Sequence, residues 1–237
     1  MNNKELLKAY EAGERDFSGL TLLELELLQL DLSDANFSQS DLRQSRLGRT
    51  HFCRVNFENC NLSESILWGS DLRSANLKQA QLRESDLSSA LLTQANLEKA
   101  NLIKASLCGA NLSDANLANA CLLDADLRSN SDQRTDLGQS NLSGADLSYA
   151  FLSGAILRGA NLAQAKLCRA KLGKDYRPGG FPSDLSEANL QGADLSYADL
   201  TGVNLKEANL KGADLTGAVL HQANLYHAIM PDGQPHG

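Results

Sequence analysis

A small residue, then Asn or Asp, then Leu, then two variable positions recur every five residues along most of the chain. Ala95-Asn96-Leu97-Glu98-Lys99, Ala100-Asn101-Leu102-Ile103-Lys104 and Ala105-Ser106-Leu107-Cys108-Gly109 are consecutive examples. A period of five excludes both ordinary elements. On an α-helix five residues advance about 500°, so the leucines would spread around the cylinder and no single side could bury them. In a straight strand side chains alternate, and an odd spacing would send Leu97 and Leu102 to opposite faces. The pattern is satisfied by a short extended piece whose Ala and Leu, two apart, both point inward, followed by a turn before the next piece. The chain must therefore coil around its own leucines. Asn or Asp between the inward pair fits, because its short side chain bonds nearby backbone and favours turns.

The Leu position is Phe at Phe17, Phe37 and Phe57, each twenty residues from the last, and Ile103 and Leu123 repeat the same spacing one position later. Like residues stack most easily above one another, so the spacing predicts four repeats per coil. The tandem Ala-(Asp/Asn)-Leu-x-x resembles the signature of the pentapeptide-repeat proteins, and does so from about Phe17 to Met230. That resemblance implies an all-β fold: a right-handed quadrilateral β-helix with the central Leu or Phe and the preceding Ala inside and the other three positions outside. Repeat architectures bury a continuous core by stacking units, so a single solenoid is expected.

Residues 1–14 read as an N-terminal helical cap, with a helix from Asn3 through Ala12, Asn3 as N-cap and Gly13 as the stop. Residues 15–230 form the repeat body. Its first coil has Leu20, Leu25 and Leu30 where Ala usually stands, which predicts a wider or distorted coil against the helix. Residues 231–237, rich in Pro and Gly, read as a flexible tail.

Two stretches break the register. Asn130 and Asp132 occupy positions that should be apolar. A buried unpaired carboxylate is costly, so a bulge carrying Asp132 to solvent is expected, with Leu137 resuming the core. Between Leu172 and Leu185 lie about eight residues more than one repeat allows, with Gly-Gly and two prolines. A projecting loop at about 173–183 follows.

A net charge of −7 argues against a general nucleic-acid binder, which would show a basic stripe. The Leu-rich run from Leu20 to Leu30 is interrupted by Glu24 and Glu26 and has no basic region before it, so neither signal peptide nor membrane span is expected. Five cysteines without a CxxC pair point to reduced thiols in a reducing compartment, and so to the cytoplasm. His51, His221, His227 and His236 are scattered without ligand-like spacing, and no Gly-rich phosphate loop occurs. No enzyme activity, metal or cofactor is expected.

Function then rests on an outer surface. Outward apolar residues mark candidate contacts: Ile103 and Leu123 stacked on one side, Trp68 on another beside Ile66, and Tyr176, Arg177 and Phe181 in the late loop. A basic cluster of Lys166, Arg169, Lys171, Lys174 and Arg177 gathers before and within that loop.

Length, helical lid, single late loop and lack of a C-terminal helix resemble those pentapeptide-repeat proteins that control heterocyst differentiation in cyanobacteria. That likeness implies a regulatory scaffold that binds the transcription regulator HetR and counters its inhibitory peptide signal. The short Pro/Gly tail leads to the expectation of a monomer, and charge and hydropathy to that of no direct nucleic-acid or membrane partner. An alternative within the same fold is a DNA mimic that protects topoisomerase (gyrase). Mimicry wants continuous acidic columns, whereas Asp31, Asp71 and Asp86 are interspersed with Arg43, Arg46, Arg49, Arg54, Arg73 and Arg83. An inert structural rod is the third reading.

Overall fold

The computed structural model describes residues 1–173 and 180–237. Parallel bridges join each residue before a central Leu or Phe to its equivalent twenty residues on: Asp16 to Asn36, Thr21 to Asp41, Glu26 to Arg46 and Asp31 to His51. Twenty residues per coil is four repeats, so the rod has four faces. Face 1 carries Phe17, Phe37 and Phe57 at its centre, face 2 Leu22 and Leu42, face 3 Leu27 and Leu47, and face 4 Leu32 and Phe52. The bridges are isolated pairs, and among the described residues none merges into a longer strand. Each extended piece is too short to be more, because the chain turns every five residues.

The corner is made at the second variable position. From Glu24 to His227 the non-glycine residues there hold φ between 55 and 62°. A positive φ at the second central residue is what a type II turn demands. The turn closes by a backbone bond such as Ala105 N–H to Leu102 O, at 3.0 Å. Coils are joined by a regular ladder, as in Leu97 N–H to Asn116 O (2.7 Å) and Lys99 N–H to Ala118 O (3.0 Å).

Inside, the central leucines and preceding alanines are buried along nearly the whole rod, from Phe17 to Leu210. Each buried Leu contributes about 1.5–3 kcal/mol relative to exposure. Phe17, Phe37 and Phe57 stack at 5.3 and 5.6 Å, as their twenty-residue spacing predicts.

The helix α1 spans Asn3–Glu11 and closes the N-terminal end with Leu6 buried. Its N-cap is Asn2 rather than Asn3: the Asn2 side chain accepts from Glu5 N–H, and Glu5 reaches back to Asn2 N–H. That reciprocal pair needs Glu three residues after the cap, which only Asn2 has. The first coil is indeed altered. Its large inward residues open the corners, and Ser40 and Ser45 each put a hydroxyl in the gap, accepting from Leu20 and Leu25 N–H and donating to Phe17 and Leu22 O.

At the other end, residues 231–237, expected as a flexible tail, fold back onto the last coil. Ile229 bridges Pro235 in antiparallel sense, and His236 N–H reaches Ala228 O at 2.7 Å. The reversal covers the open edge of face 1.

Candidate functional site

Both register breaks fall at one corner, where face 3 passes to face 4. Bridge spacing widens to twenty-five from Asn111 to Asp136 and to twenty-eight from Ile156 to Asp184. Five and eight residues are thus inserted, and the coil resumes each time at an inward hydroxyl residue, Thr135 or Ser183. The two closures match. Thr135 Oγ1 accepts from Gly109 N–H at 2.8 Å, and Ser183 Oγ accepts from Gly154 N–H at 3.0 Å.

As expected, Asp132 is exposed. Asn130 is the pin of this bulge: its amide donates to Ser89 Oγ at 3.0 Å, and its carbonyl oxygen accepts from Asp132 and Gln133 N–H. The bulge lies so close over Gly109 that a Cβ there would meet Asn130 Nδ2 at 2.1 Å.

Arg134 ties the two insertions together. It is half-buried, and burial pushes its guanidinium pKa down. The donors reach Gly154 O at 2.7 Å and Pro182 O at 2.9 Å, and the guanidinium lies 5.2 Å from the Phe181 ring centre. Phe181 itself is exposed. Sequence reasoning did not single out Arg134. The signal was Gly109 and Gly154, glycines at the corner directly preceding each closure in space.

Face 3 beside this corner gathers three of the cations that lie on aromatic rings. Arg49 sits 4.4 Å from the Trp68 ring, and Lys171 and Arg128 lie 4.5 and 5.3 Å from the Phe151 ring. Trp68 is partly exposed, together with Ile66 and Leu28, and lines a groove of about 300 Å³ with Arg46, Gly48 and Arg49. Ile103 and Leu123 stack as their spacing predicts, but on face 2, and both are partly buried. Tyr176, Arg177 and Lys174 lie outside the described residues.

On face 4, Asp71 is almost enclosed. Arg73 clamps it through Nε and Nη2 at 2.9 and 2.6 Å, and these bonds hold its carboxyl far below the usual range. Burial pushes the Cys60 and Cys108 thiols up, away from thiolate chemistry. Among the described residues no cluster of His, Cys, Asp or Glu has the makings of a metal site, and no helix is long and apolar enough to cross a membrane.

The family model for pentapeptide repeats matches residues 31–69, 54–88, 90–128, 135–173, 183–222 and 198–232. Among solved structures, HetL from the cyanobacterium Nostoc sp., a pentapeptide repeat protein involved in heterocyst differentiation regulation, is similar over 100% of both chains. The two share 55% sequence identity, with a TM-score of 0.99. QnrB1, a plasmid-mediated fluoroquinolone resistance protein, is 19% identical over 84% of this chain and 90% of its own, with a TM-score of 0.48. Rfr23 from the cyanobacterium Cyanothece is 18% identical over 93% of each chain, with a TM-score of 0.18. At those levels neither of the last two bears on function. No curated protein sequence matched the chain.

Proposed function

The chain belongs to the pentapeptide-repeat family, and on that premise we propose that it is a non-enzymatic scaffold that regulates heterocyst differentiation through protein contacts. The likeness to HetL carries this reading, because it runs end to end at 55% identity. On it, the rod is a right-handed quadrilateral β-helix, for which the twenty-residue bridge spacing speaks. The partner is the transcription regulator HetR, and the effect is to counter HetR's inhibitory peptide signal. The protein acts in the cytoplasm as a monomer.

Face 3 is the preferred contact surface, with Trp68 at one end and Phe181 at its border. Ile103 and Leu123, on the adjoining face 2, extend it. Tyr176 and Arg177 are proposed as contacts from the sequence alone.

The test is expression in a heterocyst-forming cyanobacterium, alongside capture of purified HetR by the immobilised chain. Altered heterocyst frequency together with HetR capture supports the reading. Unchanged frequency and no capture overturn it. The DNA-mimic alternative would instead show as inhibition of gyrase supercoiling, and the mixed charges of the N-terminal coils count against it.

A further inference from the structure

The arginines of the first coils are nearly all engaged. Arg43, Arg54 and Arg73 clamp Asp41, Asp34 and Asp71 at 2.7, 2.7 and 2.6 Å, and Arg46 faces Glu26 at 3.3 Å. Arg49 differs: among the described residues it makes no ion pair and rests instead on the Trp68 ring. Stacking uses the flat face of a guanidinium and leaves its in-plane N–H donors to be satisfied by another group.

Trp68 lies over Gly48, where a Cβ would come within 2.8 Å of its indole nitrogen. The missing side chain thus seats the indole and shapes the groove. One side of that groove is apolar, with Leu28, Ile66 and Trp68 each about two-fifths exposed at 39, 39 and 40%. The other side carries Arg46, which faces Glu26, and Arg49, whose charge no carboxylate among the described residues takes up.

The geometry points to this groove as the docking site for a short acidic segment of a partner protein. A carboxylate takes the in-plane donors of Arg49, in the paired geometry guanidinium favours. A neighbouring aliphatic side chain lies against Leu28, Ile66 and Trp68. The inference rests on the reading of the chain as a binding scaffold and names the chemistry it binds. Nucleic acid is the poorer occupant. A polyanion would meet a chain of net charge −7, with Glu26 beside the lining residue Arg46, whereas one carboxylate needs only Arg49.

Trp68 is the sole tryptophan of the chain, so indole fluorescence reports this groove alone. The probes are short synthetic peptides of alternating Asp and Leu, the same peptides with Asn or Lys for Asp, and a single-stranded DNA oligonucleotide. Two variants spare the fold. Arg49→Gln places at the corner a residue already found there at Gln29, and Gly48→Ala repeats Ala118 and Ala163 at the equivalent position on face 1.

The Asp/Leu peptide is expected to change the emission saturably, and its affinity to fall by roughly tenfold or more in Arg49→Gln, the loss expected for a charged hydrogen-bonded pair. Gly48→Ala, by displacing the indole, and the Asn/Leu peptide are expected to weaken binding likewise. No response in the wild type, full affinity in Arg49→Gln, or an equal response to the Lys/Leu peptide or the oligonucleotide overturns the inference. HetR capture that survives Arg49→Gln, with no peptide response in the wild type, would remove the groove and leave the proposed function standing. A peptide response without HetR capture would do the reverse.

Discussion

Arg134, in the first insertion, donates through Nη2 to the carbonyl oxygen of Pro182, in the second, at 2.9 Å. Forty-eight residues apart in sequence, the two belong to different defects of the repeat, yet the defects stack at one corner and share one guanidinium. A rod broken twice at random would have no reason to place both breaks together. Sharing lets each insertion supply cover for the other.

Replacing Arg134 by Ala should therefore unsettle both insertions at once. The variant loses charge-assisted bonds to Gly154 and Pro182 carbonyls and the ring contact with Phe181, which together are worth about 2–3 kcal/mol. A chain of this size loses about 2–4 °C of melting temperature per kcal/mol, so calorimetry should register a clear drop. Arg134→Lys should recover less than half of it, because a single ammonium cannot span the spread of acceptors. Amide exchange should rise at Thr135 and Ser183 together. Faster exchange at one alone would separate the insertions.

Much of this was legible in the sequence. Period five excluded helix and flat strand, and the Phe17, Phe37 and Phe57 spacing gave the number of sides. The excess of residues between Leu172 and Leu185 gave the length of the second insertion. The first was harder to read, because Asp132 sits in phase: the looped-out piece is one repeat long, so counting by fives cannot reveal that a side was skipped. That both insertions share a corner follows only once the skip is known. The candidate site was half legible for the same reason. Trp68, Ile103 and Leu123 could be placed on faces by arithmetic, but Arg49 over Trp68 depends on the gap left by Gly48, and Arg134 on long-range contacts that no local pattern records.

The asparagine ladder of face 1 has a direction. Each amide nitrogen donates to the oxygen one coil nearer the N-terminus: Asn161 to Asn141 at 3.1 Å, Asn141 to Asn116 at 3.0 Å, and at the end Asn36 to Asp16 at 2.9 Å. A carboxylate, which accepts only, fits at the last position and nowhere before it. Asn141→Asp should consequently cost about 1 kcal/mol, as a lost hydrogen bond facing an unpaired acceptor, while Asp16→Asn should be close to neutral. Urea midpoints of the two variants check this. Equal effects would mean that the ladder has no polarity.

Corner residues test the cost of the turn. Lys104 is exposed, makes no ion pair among the described residues, and holds φ at 56°. A left-handed conformation costs a side-chain-bearing residue roughly 1–2 kcal/mol, and glycine removes that cost while losing about 0.5–1 kcal/mol to backbone entropy. Lys104→Gly should be neutral to slightly stabilising. Lys104→Val should destabilise by more than about 1 kcal/mol, because a β-branched side chain crowds the left-handed region most. Thermal melts of the pair decide it, and a Val variant as stable as wild type would show that the corner relaxes.

Acid sensitivity should centre on Asp71. Its carboxyl titrates below the ordinary carboxylate range because Arg73 hydrogen bonds hold the charged form, with Cys53 contributing. A group whose folded pKa is depressed contributes stability in full above its unfolded value, about 4, and loses it as pH falls toward the folded value. The stability gap between wild type and Arg73→Gln should accordingly stay level from neutrality down to about pH 5 and close progressively below about pH 4, where Asp71 takes up its proton in the variant first. Asp41 and Asp126, each clamped by the arginine two residues on, share the same sign, so wild type itself should weaken over the same window. Urea midpoints taken at several pH values measure the gap directly. A gap that widens on acidification would mean that Arg73 acts by packing on its neighbours and not through the carboxylate of Asp71.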